Sequence, residues 1–316
     1  MSLASLLSTV ATLALLLIIG FGAGKLGYVD SLSTERLSTL IVKIGQPFLI
    51  INSLISQEYS AENLKTGLKI LALGLCLHAF MALIAFLLAR PVKDFDEQKL
   101  SEYSMFFANC GFIGFPIVNS IYGAEGLFYG AFYIVSFHLF VWTWGILILA
   151  RKRKDIKVTP KSIIMNFGTM PCLIGFVLYA SQLPLPAPVL QLSSYLAAIC
   201  TPISIIISGA NIARRSLKKM LTNKNVYWVN VVKLVVMPFL VALATWLIGL
   251  PEYMIVFGTI MAAMPCPAVV TMFGELYRIS PGYAAELVGS STIFCTLSIF
   301  PMVSFAQFLA SHPLWG

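Results

Sequence analysis

The chain has 316 residues, 59% of them hydrophobic and 11% charged, with a formal net charge of +8. That composition leaves a water-soluble fold no polar surface to present, so the chain reads as an integral membrane protein without a sizeable soluble domain. The basic residues fall in short loops between apolar stretches, a placement that sets orientation and excludes a nucleic-acid patch.

Apolar stretches long enough to cross roughly 30 Å of hydrocarbon recur along the whole length. The first, Leu3 to Gly24, has no basic residue before it and no small-residue cleavage site, so it is read as a retained span rather than a signal peptide. Further spans are predicted at 35–56, 63–89, 99–121, 125–150, 159–181, 187–212, 225–248, 252–277 and 281–307, ten in all. The loops "RKRKDIKVTPK" and "RRSLKKMLTNK" carry most of the basic charge. By the positive-inside rule, the 151–161 loop lies in the cytoplasm and both termini lie outside a cytoplasmic membrane. Cys76, Cys110, Cys172, Cys200, Cys266 and Cys295 all sit in apolar runs and never as C-x-x-C, so neither a metal site nor a disulfide framework is expected.

Internal symmetry is weak but ordered. At an offset of about 155 residues, Ile19-Gly20-Phe21 meets Ile174-Gly175-Phe176, Leu37-Ser38 meets Leu192-Ser193, and Pro47 meets Pro202. A slightly larger offset pairs "MALIAFLLARP" with "VALATWLIGLP", Asn109-Cys110 with Pro265-Cys266, and Tyr122 with Tyr277. A duplication of five spans is the reading, and because five is odd the second copy enters the membrane upside down. The expected fold class is an all-α membrane protein of ten transmembrane helices built as two inverted five-helix repeats, with broken, crossing fourth and ninth helices. Residues 1–150 form the first repeat, 151–161 a short cytoplasmic linker and 162–316 the second repeat.

Counted along the spans, Pro47, Asn109, Pro202 and Pro265 all fall roughly 15 to 23 Å deep, near mid-membrane. In "NCGFIGFPIV", Gly111, Gly114 and Pro116 follow Asn109, and in "MPCPAVV" Pro265 and Pro267 flank Cys266. Proline removes an N–H and glycine tolerates unwound backbone, so each span is predicted to split into two half-helices. Unwound backbone cannot face lipid, and half-helix N-termini meeting at one point suit an anion, a carboxylate above all. The substrate-binding residues read from this pattern are Asn109, Cys110, Gly111, Gly114, Pro116, Pro265, Cys266 and Pro267. Gln46, Asn52, Thr201 and Ser204, on spans interrupted by Pro47 and Pro202, are expected to border the site. Asn109 reads either as a donor to a carboxylate or as helix–helix glue. Lys43 reads as an anion attractor or as a snorkelling lysine, and Lys233 as snorkelling to the inner interface. Glu275 is read as interfacial or as a proton partner, Glu286 likewise. His78 and His138 are expected to be packing histidines.

These two segments resemble those of the auxin efflux carrier family. "NCGFIGFPIVNSIYG" is similar to its N-x-G-x-x-G-x-P segment, and "MPCPAVVTMFGELY" to its ninth-span segment, through Pro265, Glu275 and Tyr277. The resemblance covers essentially the whole chain. It implies a scaffold helix group and a transport helix group, substrate held where the fourth and ninth spans cross, and an elevator-like shift. It also implies organic-anion substrates such as indole-3-acetate, malonate or malate. The chain departs from the plant pattern in its central loop of about ten residues, and in having no asparagine beside Pro265 to mirror Asn109.

The reading is therefore a secondary carrier of small organic anions. Its alternatives are a sodium- or proton-coupled symporter of the bile-acid-carrier type and a non-transporting membrane sensor. No His-Glu-x-x-His helix, paired acids or P-loop supports an enzyme or an ATP-driven pump, and no cofactor is expected. The expected partners are a small organic anion and the lipid bilayer, with a homodimer carried by analogy alone.

Overall fold

The computed structural model describes residues 3–153, 165–214, 220 and 222–314, and these are helical, with no strand among them. In chain order α1 is Leu3–Lys25; α2, Ser31–Leu40, runs through a π-helical turn at Ile41–Gly45 into α3, Gln46–Ile55; and α4 is Ala61–Leu88. Next come α5 at Phe95–Phe106, a π turn at Cys110–Gly114, α6 at Phe115–Phe140, and a further π turn leading into α7, Ile146–Ala150. The later elements are α8 at Thr169–Ser181, α9 at Ala187–Ala198, α10 at Cys200–Ala213 and α11 at Lys224–Val231. They continue with α12 at Met237–Leu247, α13 at Glu252–Ala263, α14 at Val269–Leu276 and α15 at Pro281–Ala310. Among the described residues, seven helical stretches are long and apolar enough to cross a membrane, and α8 and α13 are shorter apolar helices.

Helix starts are fixed by side-chain caps. Asp30 accepts from the Ser33 N–H at 2.7 Å, Ser60 from Asn63 at 2.9 Å, and Asp94 from Asp96 and Glu97. Each cap satisfies an N–H that the helix itself cannot. The Asp94 cap explains why the fourth span starts at Phe95, four residues before its predicted position. The predicted start of the sixth span, 159–164, lies outside the described residues, as do 154–158 of the 151–161 loop.

The longest apolar stretch, Phe95–Ala150, is not one rod. Gly123 takes φ +62°, a left-handed conformation that glycine adopts without a Cβ penalty. Beyond it the chain returns along itself. A Cβ on Gly126 would lie 2.4 Å from the Val118 carbonyl, and one on Gly130 would lie 2.7 Å from the Phe115 ring. Two antiparallel helices joined at Gly123 therefore replace the single helix that length alone would give.

The helices pack in two groups. α1 lies along α10, and α3 lies against α8 and α9. Gly20 and Gly209 bring α1 and α10 close, for a Cβ on either would meet the facing backbone at 2.3 or 2.2 Å. Arg214 ties the end of α10 to Val29 and Thr34. The second group joins α4, α5–α7 and α11–α15. Its polar ties include the Trp228 indole to the Leu88 carbonyl, Asn225 to Glu97, and the Ser101 and Tyr283 hydroxyls. A buried Glu102 pairs with Arg151 in bidentate fashion. Between the groups runs a seam where α1 and α10 face Ile113, Ile117 and α15 around an apolar cavity of about 30 Å³.

Gly20→Val is expected to destabilise the protein by about 1–3 kcal/mol or more, because the facing Ile206 backbone cannot yield to the added methyls. Gly22→Val, on the same helix with open space around it, is expected to leave stability nearly unchanged. Thermal unfolding midpoints of the purified, detergent-solubilised variants compare the two.

Candidate functional site where two broken spans meet

The fourth span is helical to Phe106, extended at Phe107 (φ −86°, ψ 150°), and resumes as a π turn from Cys110 after Asn109 at φ −76°, ψ 58°. The ninth span is helical to Ala263, extended at Met264 (φ −65°, ψ 149°), and resumes as α14 from Val269. Both interruptions fall where the sequence places them, and they touch. The Asn109 N–H donates to the Pro265 carbonyl at 2.8 Å, one break satisfying the other. Gly114 permits the approach, since a Cβ there would stand 3.2 Å from the Met261 sulfur and 3.4 Å from Met264.

Each backbone group freed by the prolines can be followed to its partner. Pro265 and Pro267 cannot donate to Met261 and Ala263, and the Cys266 N–H is drawn away to the Ser291 hydroxyl at 3.0 Å. The three orphaned carbonyls are covered from outside the helix. Cys110 Sγ lies 4.0 Å from Met261 O, Lys233 Nζ donates to Ala262 O at 3.2 Å, and Cys295 Sγ lies 3.6 Å from Ala263 O. On the fourth span, Ser104 O receives Cys266 Sγ at 3.6 Å, and Asn109 O accepts from Ile113 and Gly114. This is the satisfaction that buried backbone requires at membrane depth.

What stays open is equally specific. Gly111 and Phe112, and Ala268 and Val269, stand in the opening turns of the two outgoing half-helices, where the leading N–H groups have no acceptor within their own helix, and all four residues are half-buried rather than sealed. Those N–H groups lie where the helix dipole is positive. The Asn109 side chain, 6% exposed, makes no hydrogen bond to a described residue. The Ser104, Ser204 and Asn230 side chains each bury an oxygen without a hydrogen-bond partner among the described residues. Chemically, the crossing offers donors and fixed positive potential to a small anion.

The remaining predicted residues are distributed as follows. Cys110, Pro265, Cys266 and Pro267 are buried at the crossing, and Pro116 is half-buried in the first turn of α6. Ser204 is buried on α10, which packs against the Cys110–Gly114 turn, and Thr201 is half-buried one turn before it. Gln46 reaches across the seam instead, its Nε2 3.0 Å from His138 Nε2, while Asn52 is half-buried near the end of α3. Lys43 and Glu275 are exposed, without an ion pair among the described residues, and do not join the buried crossing. Glu286 receives Asn223. His78 is a packing histidine, bonded to the Gly74 carbonyl at 2.7 Å and ringed by Phe106, Tyr133 and Phe140.

Lys233 corrects the sequence reading. It does not snorkel: it is fully buried and held at the end of α13. Its position in "VVKLVVM", inside an apolar run just before Pro238, is the signal that could have found it. Ser291 and Cys295 give no comparable signal, being ordinary small residues in a long span.

A family model described as "Membrane transport protein" matches residues 5–303. Among curated proteins, one described as an uncharacterized transporter from Methanocaldococcus jannaschii is 22% identical over 311 residues, spanning 93% of this chain and 96% of that relative. Another uncharacterized transporter, from Methanothermobacter thermautotrophicus, is 23% identical over 310 residues, spanning 98% and 96% respectively.

The bond that joins the breaks uses the backbone of Asn109, not its side chain. Asn109→Ala is therefore expected to keep nearly the parent unfolding midpoint. Asn109→Pro, which removes that N–H and orphans the buried Pro265 carbonyl, is expected to cost about 1–3 kcal/mol more, read as a lower midpoint in the same thermal assay.

Proposed function

The chain belongs to the membrane transport protein family, that of the auxin efflux carriers, and on that premise we propose that it is a secondary carrier of small organic anions, carboxylates foremost, working by elevator-like alternating access. The observation that carries the reading is the contact of the two broken spans through Asn109 and Pro265, with half-buried N–H donors leading out of both. A carboxylate bound there accepts hydrogen bonds from Gly111 and Phe112 on one side and Ala268 and Val269 on the other. Asn109 adds its side-chain amide.

Counting the Gly123 turn as a boundary, and α8 and the α13–α14 pair as spans, the chain crosses the cytoplasmic membrane ten times, with both termini outside and the 151–161 loop inside. The two halves, 1–150 and 162–316, are then inverted repeats. The group of α1–α3 and α8–α10 serves as scaffold, and the group holding the crossing slides past it. The apolar seam supports this division, since few polar contacts need to break for one group to move. The Gln46–His138 contact and the Ser5 hydroxyl on the Ser120 carbonyl are such contacts. An interior-negative potential drives a monoanion outward by about 2.3 kcal/mol per 100 mV, so export needs no coupled ion.

Purified protein is expected to be stabilised by at least one member of a mono- and dicarboxylate panel, by about 2.7 kcal/mol at a hundredfold excess over the dissociation constant. Asn109→Ala is expected to lose most of that response, and proteoliposomes to accumulate the same radiolabelled carboxylate. No stabilisation by any carboxylate, or an undiminished response in the variant, would reject the site.

A further inference from the structure

Among the described residues, Lys233 is the buried charged side chain that no carboxylate or ammonium pairs with. It is fully buried, and its Nζ has one hydrogen-bond acceptor among the described residues, the Ala262 carbonyl at 3.2 Å. An ammonium has three N–H donors, and no described carboxylate forms an ion pair with this one. Acids on the helices packed against its turn, α5 and α15, bond elsewhere: Glu102 to Arg151, Glu97 to Asn225 and Glu286 to Asn223. The side chains close enough to feel its charge include the thiols of Cys110, Cys266 and Cys295, the first two being residues of the breaks themselves. The carbonyl end of α13 supplies partial negative charge, which holds the ammonium in place without neutralising it. A buried charge left in this state calls for a counter-charge, and the described residues leave only the crossing to provide one.

We propose that Lys233 is the built-in counter-ion of the transported anion. This deepens the carrier reading and rests on it. The lysine need not touch the anion, because a full charge acts through the low dielectric of a buried crossing over several ångströms. Lys233 also lies in the same helix group as both breaks, on the turn between α11 and α12, so it travels with the substrate. A monoanion and the ammonium together make the loaded group neutral. The empty group carries the positive charge alone, so an interior-negative membrane pulls the empty site toward the cytoplasm, where it reloads. Export is favoured by the voltage acting on the return stroke.

The test uses the full-length protein with acetate, benzoate and malonate as probes, comparing wild type, Lys233→Met and Lys233→Arg by thermal shift. Lys233→Met is expected to unfold at or above the wild-type temperature without ligand, because a buried unpaired charge has been removed, and to bind the stabilising probe at least tenfold more weakly. Lys233→Arg is expected to retain most of the affinity. In proteoliposomes on a solid-supported membrane, the transient displacement that follows a monoanion pulse, the loaded half-cycle, is expected to carry negative charge in Lys233→Met and to be close to electroneutral in wild type, with the same net charge per complete turnover in both. Unchanged affinity and charge movement in Lys233→Met would overturn the proposal and leave the carrier reading standing. A Lys233→Met protein that fails to fold while Lys233→Arg folds would assign the lysine to holding α13 and also overturn it. If no probe stabilises the wild type and none is taken up, the carrier reading fails and the counter-ion role with it.

Discussion

A peptide group inside a bilayer has no water to bond to, and that constraint governs this structure. A helix that stops near mid-membrane leaves carbonyls at one end and N–H groups at the other, each unpaired group costing several kcal/mol in hydrocarbon. Here two helices stop, and each supplies part of what the other lacks. The Asn109 N–H closes on the Pro265 carbonyl, Cys110 approaches the Met261 carbonyl, and Cys266 approaches Ser104. Lys233, Ser291 and Cys295 complete the set from α15 and the turn preceding α12. The breaks are thus stable only as a pair, which ties the geometry of one span to that of the other.

The residues that cover the orphaned carbonyls are buried, whereas Gly111, Phe112, Ala268 and Val269 at the heads of the outgoing half-helices are half-buried. This difference in burial is what the proposed binding site rests on. The surrounding architecture serves that arrangement. The crossing belongs wholly to one helix group, and an apolar seam separates it from the group built on the close contact of α1 with α10.

Much of this was legible in the chain. Span limits followed from apolar length, and most fall within a few residues of the helices, because lipid allows few alternatives to a helix about twenty residues long. The breaks were legible because proline and glycine act on the backbone locally, whatever packs against them. Facing was not legible. Lys233 and Lys43 look alike in sequence, each in an apolar run shortly before a proline, yet one is sealed against Ala262 and the other is exposed. Depth along a span is one-dimensional, and which side of the helix meets protein depends on partners far away in the chain. The same reason hid Ser291 and Cys295, whose roles arise only once α15 lies against the ninth span. It also sent Gln46, expected beside the substrate, across the seam to His138.

The most direct measurement is a crystal structure of the protein soaked with an unreactive bromine-labelled carboxylate such as 4-bromobenzoate, with the bromine located by its anomalous signal. The account predicts one ordered peak beside the crossing, with carboxylate density against the N–H groups of Gly111, Phe112, Ala268 and Val269. A peak confined to the lipid-facing surface or to the apolar seam, with those four N–H groups left bare, would contradict it.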